Sequence, residues 1–135
     1  MKRFTNKILS ILVLAAAIVF AACEPDPFEP DYELMIGTWK NGTEYMRYYD
    51  HSWQYEQYGG TTVEVNGTEW DTSVDEGEAE ALPFRWELEG TELLRYHYDY
   101  MGAVVPKSYT VTALSTSQLT YKDKYGRTYT YSKVQ

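Results

Sequence analysis

Few groups in this chain could carry out covalent or acid–base chemistry: His51 and His97 are its only histidines and Cys23 its only cysteine. Enzymatic chemistry needs a nucleophile beside a base, paired carboxylates in a pocket, or a metal. His51 lies in the turn signal Asp50-His51-Ser52, His97 alternates with tyrosines, and their spacing fits no zinc site. Ser115 and Ser117 sit where serines suit turn hydrogen bonding. Asp71, Asp75, Glu76, Glu78 and Glu80 could gather oxygen ligands for calcium, but they lack the alternating spacing and the glycine of an EF-hand loop, and read as a solvated loop. The expectation is a protein without catalytic residues, metal or cofactor.

Aromatic residues are the more informative group. The chain has 14 Tyr and four Trp, and side chains on a strand alternate between faces. Leu94, Tyr96, Tyr98 and Tyr100 share one face, and Leu93, Arg95, His97 and Asp99 the other. The apolar bodies of the first row make it the predicted inward face. Phe84, Trp86 and Leu88 form another row, Trp53 and Tyr55 a third, Tyr109 and Val111 a fourth, and Tyr129 and Tyr131 a fifth. These rows read mainly as core. Trp53, Tyr55, Trp86, Tyr96, Tyr98 and Tyr109 are the candidates for lining a pocket or a stacking surface for an apolar ligand or a sugar.

The elements that must position these rows begin after a distinct N-terminal segment. Lys2, Arg3 and Lys7 precede a run from Ile8 to Ala22 broken only by Ser10, too short for a membrane span and suited to a signal peptide over residues 1–22. From Cys23 onward, nine basic and 20 acidic residues give a charge of −11, which opposes nucleic acid and anionic lipid as electrostatic partners. With 20 aromatics in those 113 residues, the acidic chain is too aromatic to stay disordered. Residues 23–33, with three prolines and five acids, read as an extended tether, and 34–135 as one folded domain.

Over 34–135 no 3.6-residue periodicity stands out, and β-branched and aromatic residues alternate with polar ones between turn signals. Strands are predicted at 36–40, 43–49, 53–58, 84–89, 91–100, 107–114, 118–122 and 128–134. Asn41-Gly42 suits a type I′ turn. Around Asn66-Gly67, residues 61–65 and 68–71 read as an extra hairpin protruding from the sheet, followed by the long acidic loop. Eight strands joined mostly by short connections favour an antiparallel up-and-down barrel, which closes its own edges.

Two resemblances add to this reading. Phe20-Ala21-Ala22-Cys23 resembles a bacterial lipobox, which implies that Cys23 becomes a lipidated N-terminus, carrying palmitate-like chains in the outer membrane. The acidic stretch that follows is similar to a surface-export signal of lipoproteins in one group of Gram-negative bacteria, although it also suits a plain spacer. Gly37-Thr38-Trp39 on the first strand of an eight-stranded meander resembles the lipocalins, and more closely the small lipocalin-like lipoproteins of that bacterial group. The likeness continues through Leu82-Pro83-Phe84-Arg85-Trp86 and Lys122-Asp123-Lys124-Tyr125-Gly126-Arg127. It implies that Gly37 turns the strand, that Trp39 plugs the closed end, and that Arg127 packs across the indole. The expected protein is a monomer anchored through Cys23 that holds a small apolar or amphipathic ligand. The alternative is a surface module that grips a glycan or a partner protein through exposed aromatics, Trp70 and tyrosines. Replacing Cys23 with Ala should abolish fatty-acid labelling and release the protein from membranes, as metabolic labelling and membrane fractionation would show.

Overall fold

A computed structural model describes residues 28–57, 59–75, 77–98 and 103–134. The signal peptide, Cys23 and the first part of the tether lie outside them. A one-turn helix, α1 (Tyr32–Met35), leads into eight strands: β1 (Gly37–Asn41), β2 (Glu44–Glu56), β3 (Thr62–Asp71), β4 (Leu82–Glu89), β5 (Glu92–Tyr98), β6 (Val104–Leu114), β7 (Gln118–Asp123) and β8 (Thr128–Lys133). Each pairs antiparallel with its chain neighbour, and β1 closes on β8 through Trp39 opposite Lys133 and Lys40 opposite Ser132. The up-and-down barrel expected from the strand pattern is the fold.

Its wall is assembled differently from the sequence expectation. Residues 44–49 and 53–56 of the two predicted segments belong to the single strand β2, and Asp50-His51-Ser52 is taken up in a bulge between Tyr48 and Trp53. Segments 61–65 and 68–71, read as a protruding hairpin, are also one strand, β3, inside the wall. The strand count of eight survives because one predicted pair merged and another predicted hairpin straightened. Asn66-Gly67 is not a turn because both residues serve the β3–β4 seam. A Cβ on Gly67 would lie 2.4 Å from the Phe84 ring, so only glycine lets that ring cross the strand. The Asn66 side chain accepts from Trp86 N at 2.8 Å and donates to Trp86 O at 3.1 Å, and Trp86 Nε1 donates to Asn66 O at 2.9 Å. These bonds extend a ladder that otherwise pairs only 67–69 with 82–84. The acidic connection after β3 forms two short 3-10 turns, Thr72–Val74 and Glu78–Glu80.

Turn chemistry also departs from expectation at the first hairpin. Asn41 pairs with Glu44, so the loop is Gly42-Thr43, and only Gly42 has positive φ (+60°). That is the pattern of a type II′ turn. Gly90-Thr91 repeats it between β4 and β5, with Gly90 at +59°.

The end where β1 starts and β8 finishes is closed. Trp39 is fully buried there, and its Nε1 donates to Met35 O at 2.9 Å. Gly37 enters β1 at φ +129°, a conformation open to glycine. The cation over the indole is Lys133, with Nζ 4.4 Å from the ring centroid and bonded to Leu34 O and Ile36 O. Arg127 does not fill that role. It precedes β8 at the opposite end of the barrel, is exposed, and gives its backbone N–H to Asp123 Oδ1 at 2.9 Å. A residue from the last turn of the meander cannot reach the closed end, whereas the final residue of β8 must.

Residues 30–33, read as the end of the tether, belong instead to the folded part. Pro30 is buried, Asp31 caps α1 through Glu33 N at 3.0 Å, and Tyr32 stacks on Trp86 at 5.2 Å. Burial of Met35, Trp39, Phe84, Trp86, Leu93 and Leu119 fills the closed half of the barrel. Because the Gly67 position has no room for a methyl group, Gly67→Ala should destabilise the fold by about 1–3 kcal/mol. Thermal unfolding would show this as a fall of at least about 4 °C, whereas an exposed turn would tolerate the change.

Candidate functional site

The buried residues fix which face of each strand turns inward. Met46 and Tyr48 mark β2, Phe84 and Trp86 β4, Leu93 β5, Val111 β6, Leu119 and Tyr121 β7, and Tyr131 β8. Their large side chains fill the half of the barrel next to Trp39. Toward the opposite end the same inward rows continue as Glu44, Glu69, Asp71, Leu82, Lys107, Tyr109 and Tyr129, and there the interior opens into a cavity of about 340 Å³. Its floor is Met46, Arg95 and Tyr121. The interior is thus packed in one half and open in the other.

The inward row of β5 is Leu93, Arg95 and His97, the reverse of the sequence expectation. Leu88 pairs with Leu93 and Trp86 with Arg95, so the inward Phe84-Trp86-Leu88 row commits the residues opposite it. The signal that could have given this is the two-residue Gly90-Thr91 loop, which sets the register. Tyr96 instead lies on the outer face beneath Arg85, whose guanidinium is 4.2 Å from the ring centroid. Tyr98 continues that outer row and is half-buried.

Of the six candidate ligand residues, only Tyr109 lines the cavity. Trp86 is a core residue, held edge-on by Tyr48 at 5.2 Å and covered by Tyr32. Trp53 packs on Tyr49 at 5.0 Å beside His51, on the part of β2 beyond the bulge, and Tyr55 is exposed nearby. Trp70, read as part of an exposed gripping surface, is half-buried on β3 and stacks on Tyr45 at 5.2 Å with planes 8° apart.

Arg95, which sequence reasoning turned outward, is the central charged group. It is 4% exposed, and its Nη1 lies 3.1 Å from Tyr48 Oη and 3.0 Å from Tyr121 Oη, beside Met46 Sδ. Its guanidinium carbon stands 4.3 Å from the Tyr109 ring centroid and 5.3 Å from that of Tyr121. The Nε has no hydrogen-bond partner among the described residues, and no carboxylate among them forms an ion pair with this side chain. Burial pushes the Tyr48 phenol up to about 12 against the pull of Arg95, and burial likewise raises Tyr121 and Tyr131. At neutral pH the phenols are therefore uncharged, and a guanidinium stays protonated.

An acid on the inner wall, Glu69, is engaged by His97 at 3.0 Å, and the imidazole stacks on Phe84 at 5.4 Å. Desolvation pushes the Glu69 carboxyl up, but the His97 hydrogen bond and the charges of His97, Arg95 and Lys107 hold it below its usual value. No group of three His, Cys, Asp or Glu among the described residues is arranged to hold a metal ion.

Comparison with known proteins adds nothing to this geometry: no protein-family model, no curated protein and no solved structure matches the chain.

Raised phenol pKa values link stability to alkaline pH. The unfolded chain ionises its tyrosines near 10, so the stability held by neutral Tyr48 is complete below that pH and is lost as pH rises towards 12. One group shifted this far corresponds to about 2–3 kcal/mol. Denaturant midpoints should fall between pH 10 and 12, and absorbance at the phenolate band should show a tyrosine class that titrates only as the protein unfolds.

Proposed function

We propose that this protein is a non-enzymatic binding protein of the cell envelope, lipocalin-like in kind, anchored in the outer membrane through a lipidated Cys23 and holding a small amphipathic molecule in its barrel. The observation that carries the reading is the cavity of about 340 Å³ at the end opposite Trp39. That volume lies at the small end of the ligand-pocket range, enough for one modest ligand. Its walls combine aromatic faces with hydroxyls and charges, which suits a molecule with an apolar body and a polar group. The anchor rests on the Ala21-Ala22-Cys23 motif, and the lipocalin kinship on Gly37-Thr38-Trp39 at the plugged end of a next-neighbour barrel.

A second reading, a surface module for a glycan or partner protein, is favoured by the Tyr45–Trp70 stack on the outer wall, flanked by Lys40 at 5.5 Å from the Tyr45 ring. Tyr45 and Trp70 also border the cavity, so the two readings differ in which face of β2 and β3 the ligand takes. A neutral apolar fluorophore such as N-phenyl-1-naphthylamine should brighten on binding. Leu82→Trp, which fills the cavity mouth from a 54% exposed position, should weaken that binding about tenfold or more, roughly the 1.4 kcal/mol expected of blocked burial. Trp70→Ala, which trims one residue at the edge of the cavity, should weaken it far less than Leu82→Trp does. The reverse outcome would move the ligand to the outer wall.

A further inference from the structure

We infer that the cavity selects a ligand with a single carboxylate head on an apolar or aromatic body, and that the head docks on Arg95. This deepens the binding role proposed above and rests on it. One buried charge lacks an ion pair among the described residues, since Glu69, which feels it, is bonded to His97 instead. Arg95 is 4% exposed, yet no described carboxylate forms an ion pair with it. Its protein hydrogen bonds all come from Nη1, to two phenols and a thioether, which are neutral acceptors. Nε is buried without a partner, and no bond from Nη2 is present among the described residues. Burying a charge without a counter-ion is costly, so an arrangement that keeps one at the floor of an open cavity is completed by an anion from outside.

The geometry favours a carboxylate over other anions. A guanidinium presents paired N–H groups that match the two oxygens of a carboxylate. Lys107 stands opposite Arg95 in the β5–β6 register and lines the same cavity, which puts both cations on one wall. Glu44, Glu69 and Asp71 line the opposite wall on β2 and β3. Those acids repel a multiply charged head such as a phosphate more strongly than a single carboxylate. Between the charged walls, Tyr109, Tyr121, Tyr129 and Tyr131 offer ring faces for an apolar body.

Decanoate, decanol and decylamine separate the possibilities, because they share a chain and differ in the head. Calorimetric titration of the full chain carrying Cys23→Ser should give decanoate a Kd about tenfold or more below that of decanol, as expected for a charge-assisted bond, with decylamine the weakest. Arg95→Gln should bring decanoate to the level of decanol. Should that variant fail to fold, the Arg95 Nε–H resonance of the otherwise unchanged protein supplies the same test: decanoate should shift it and decanol should not. Equal affinity for decanoate and decanol, or a preference for decylamine, overturns the carboxylate assignment and leaves the binding role standing. Failure of all three to bind overturns both.

Discussion

A single buried guanidinium divides this barrel. On one side of Arg95 the interior is closed by Trp39, Trp86, Phe84 and Leu93, and on the other it is open. Its position follows from strand pairing: once Trp86 is buried, its cross-strand neighbour must also point inward. The cost of that commitment is offset by Tyr48 and Tyr121, whose hydroxyls accept from it, and by ring faces at Tyr109 and Tyr121. The tyrosine content that looked like ordinary core material is therefore partly a solvent for one cation. Phenols suit that role because each joins a large apolar body to one polar atom.

The fold was legible where local chemistry and strand order agree. Short alternating runs with turn signals led to a closed antiparallel meander, and Gly37-Thr38-Trp39 marked the end that is plugged. What misled was composition read without register. Asn66-Gly67 has the residues of a hairpin turn, but Gly67 is required by the Phe84 ring and Asn66 by the backbone of Trp86, contacts that involve residues about 20 positions away. Asp50-His51-Ser52 looks like a break and is a bulge. The same limitation hid Arg95. Ranking the two faces of β5 by hydropathy favoured tyrosines over arginine and histidine, whereas pairing to β4 decides the matter.

The plugged end shows how a motif can be located correctly while its partner is not. A cation does cover the Trp39 indole, worth about 0.5–2 kcal/mol where partly desolvated, but it is Lys133. The lysine also ties α1 to the barrel through the carbonyls of Leu34 and Ile36. One side chain thus joins the first and last elements of the chain, and together with the β1–β8 pairs it completes the closure.

The docking of α1 also sets an orientation. The chain enters the barrel at its plugged end, with Pro30 and Met35 buried and Tyr32 laid on Trp86. Seven residues lie between the proposed anchor Cys23 and Asp31, and at about 3.3–3.6 Å per residue the eight steps span less than about 30 Å when fully extended. If Cys23 carries the proposed lipid, a barrel held on so short a leash from its plugged end would stand with its mouth turned away from the bilayer. Its cargo would then be exchanged with the surrounding aqueous phase, not drawn sideways out of the lipid leaflet that anchors it.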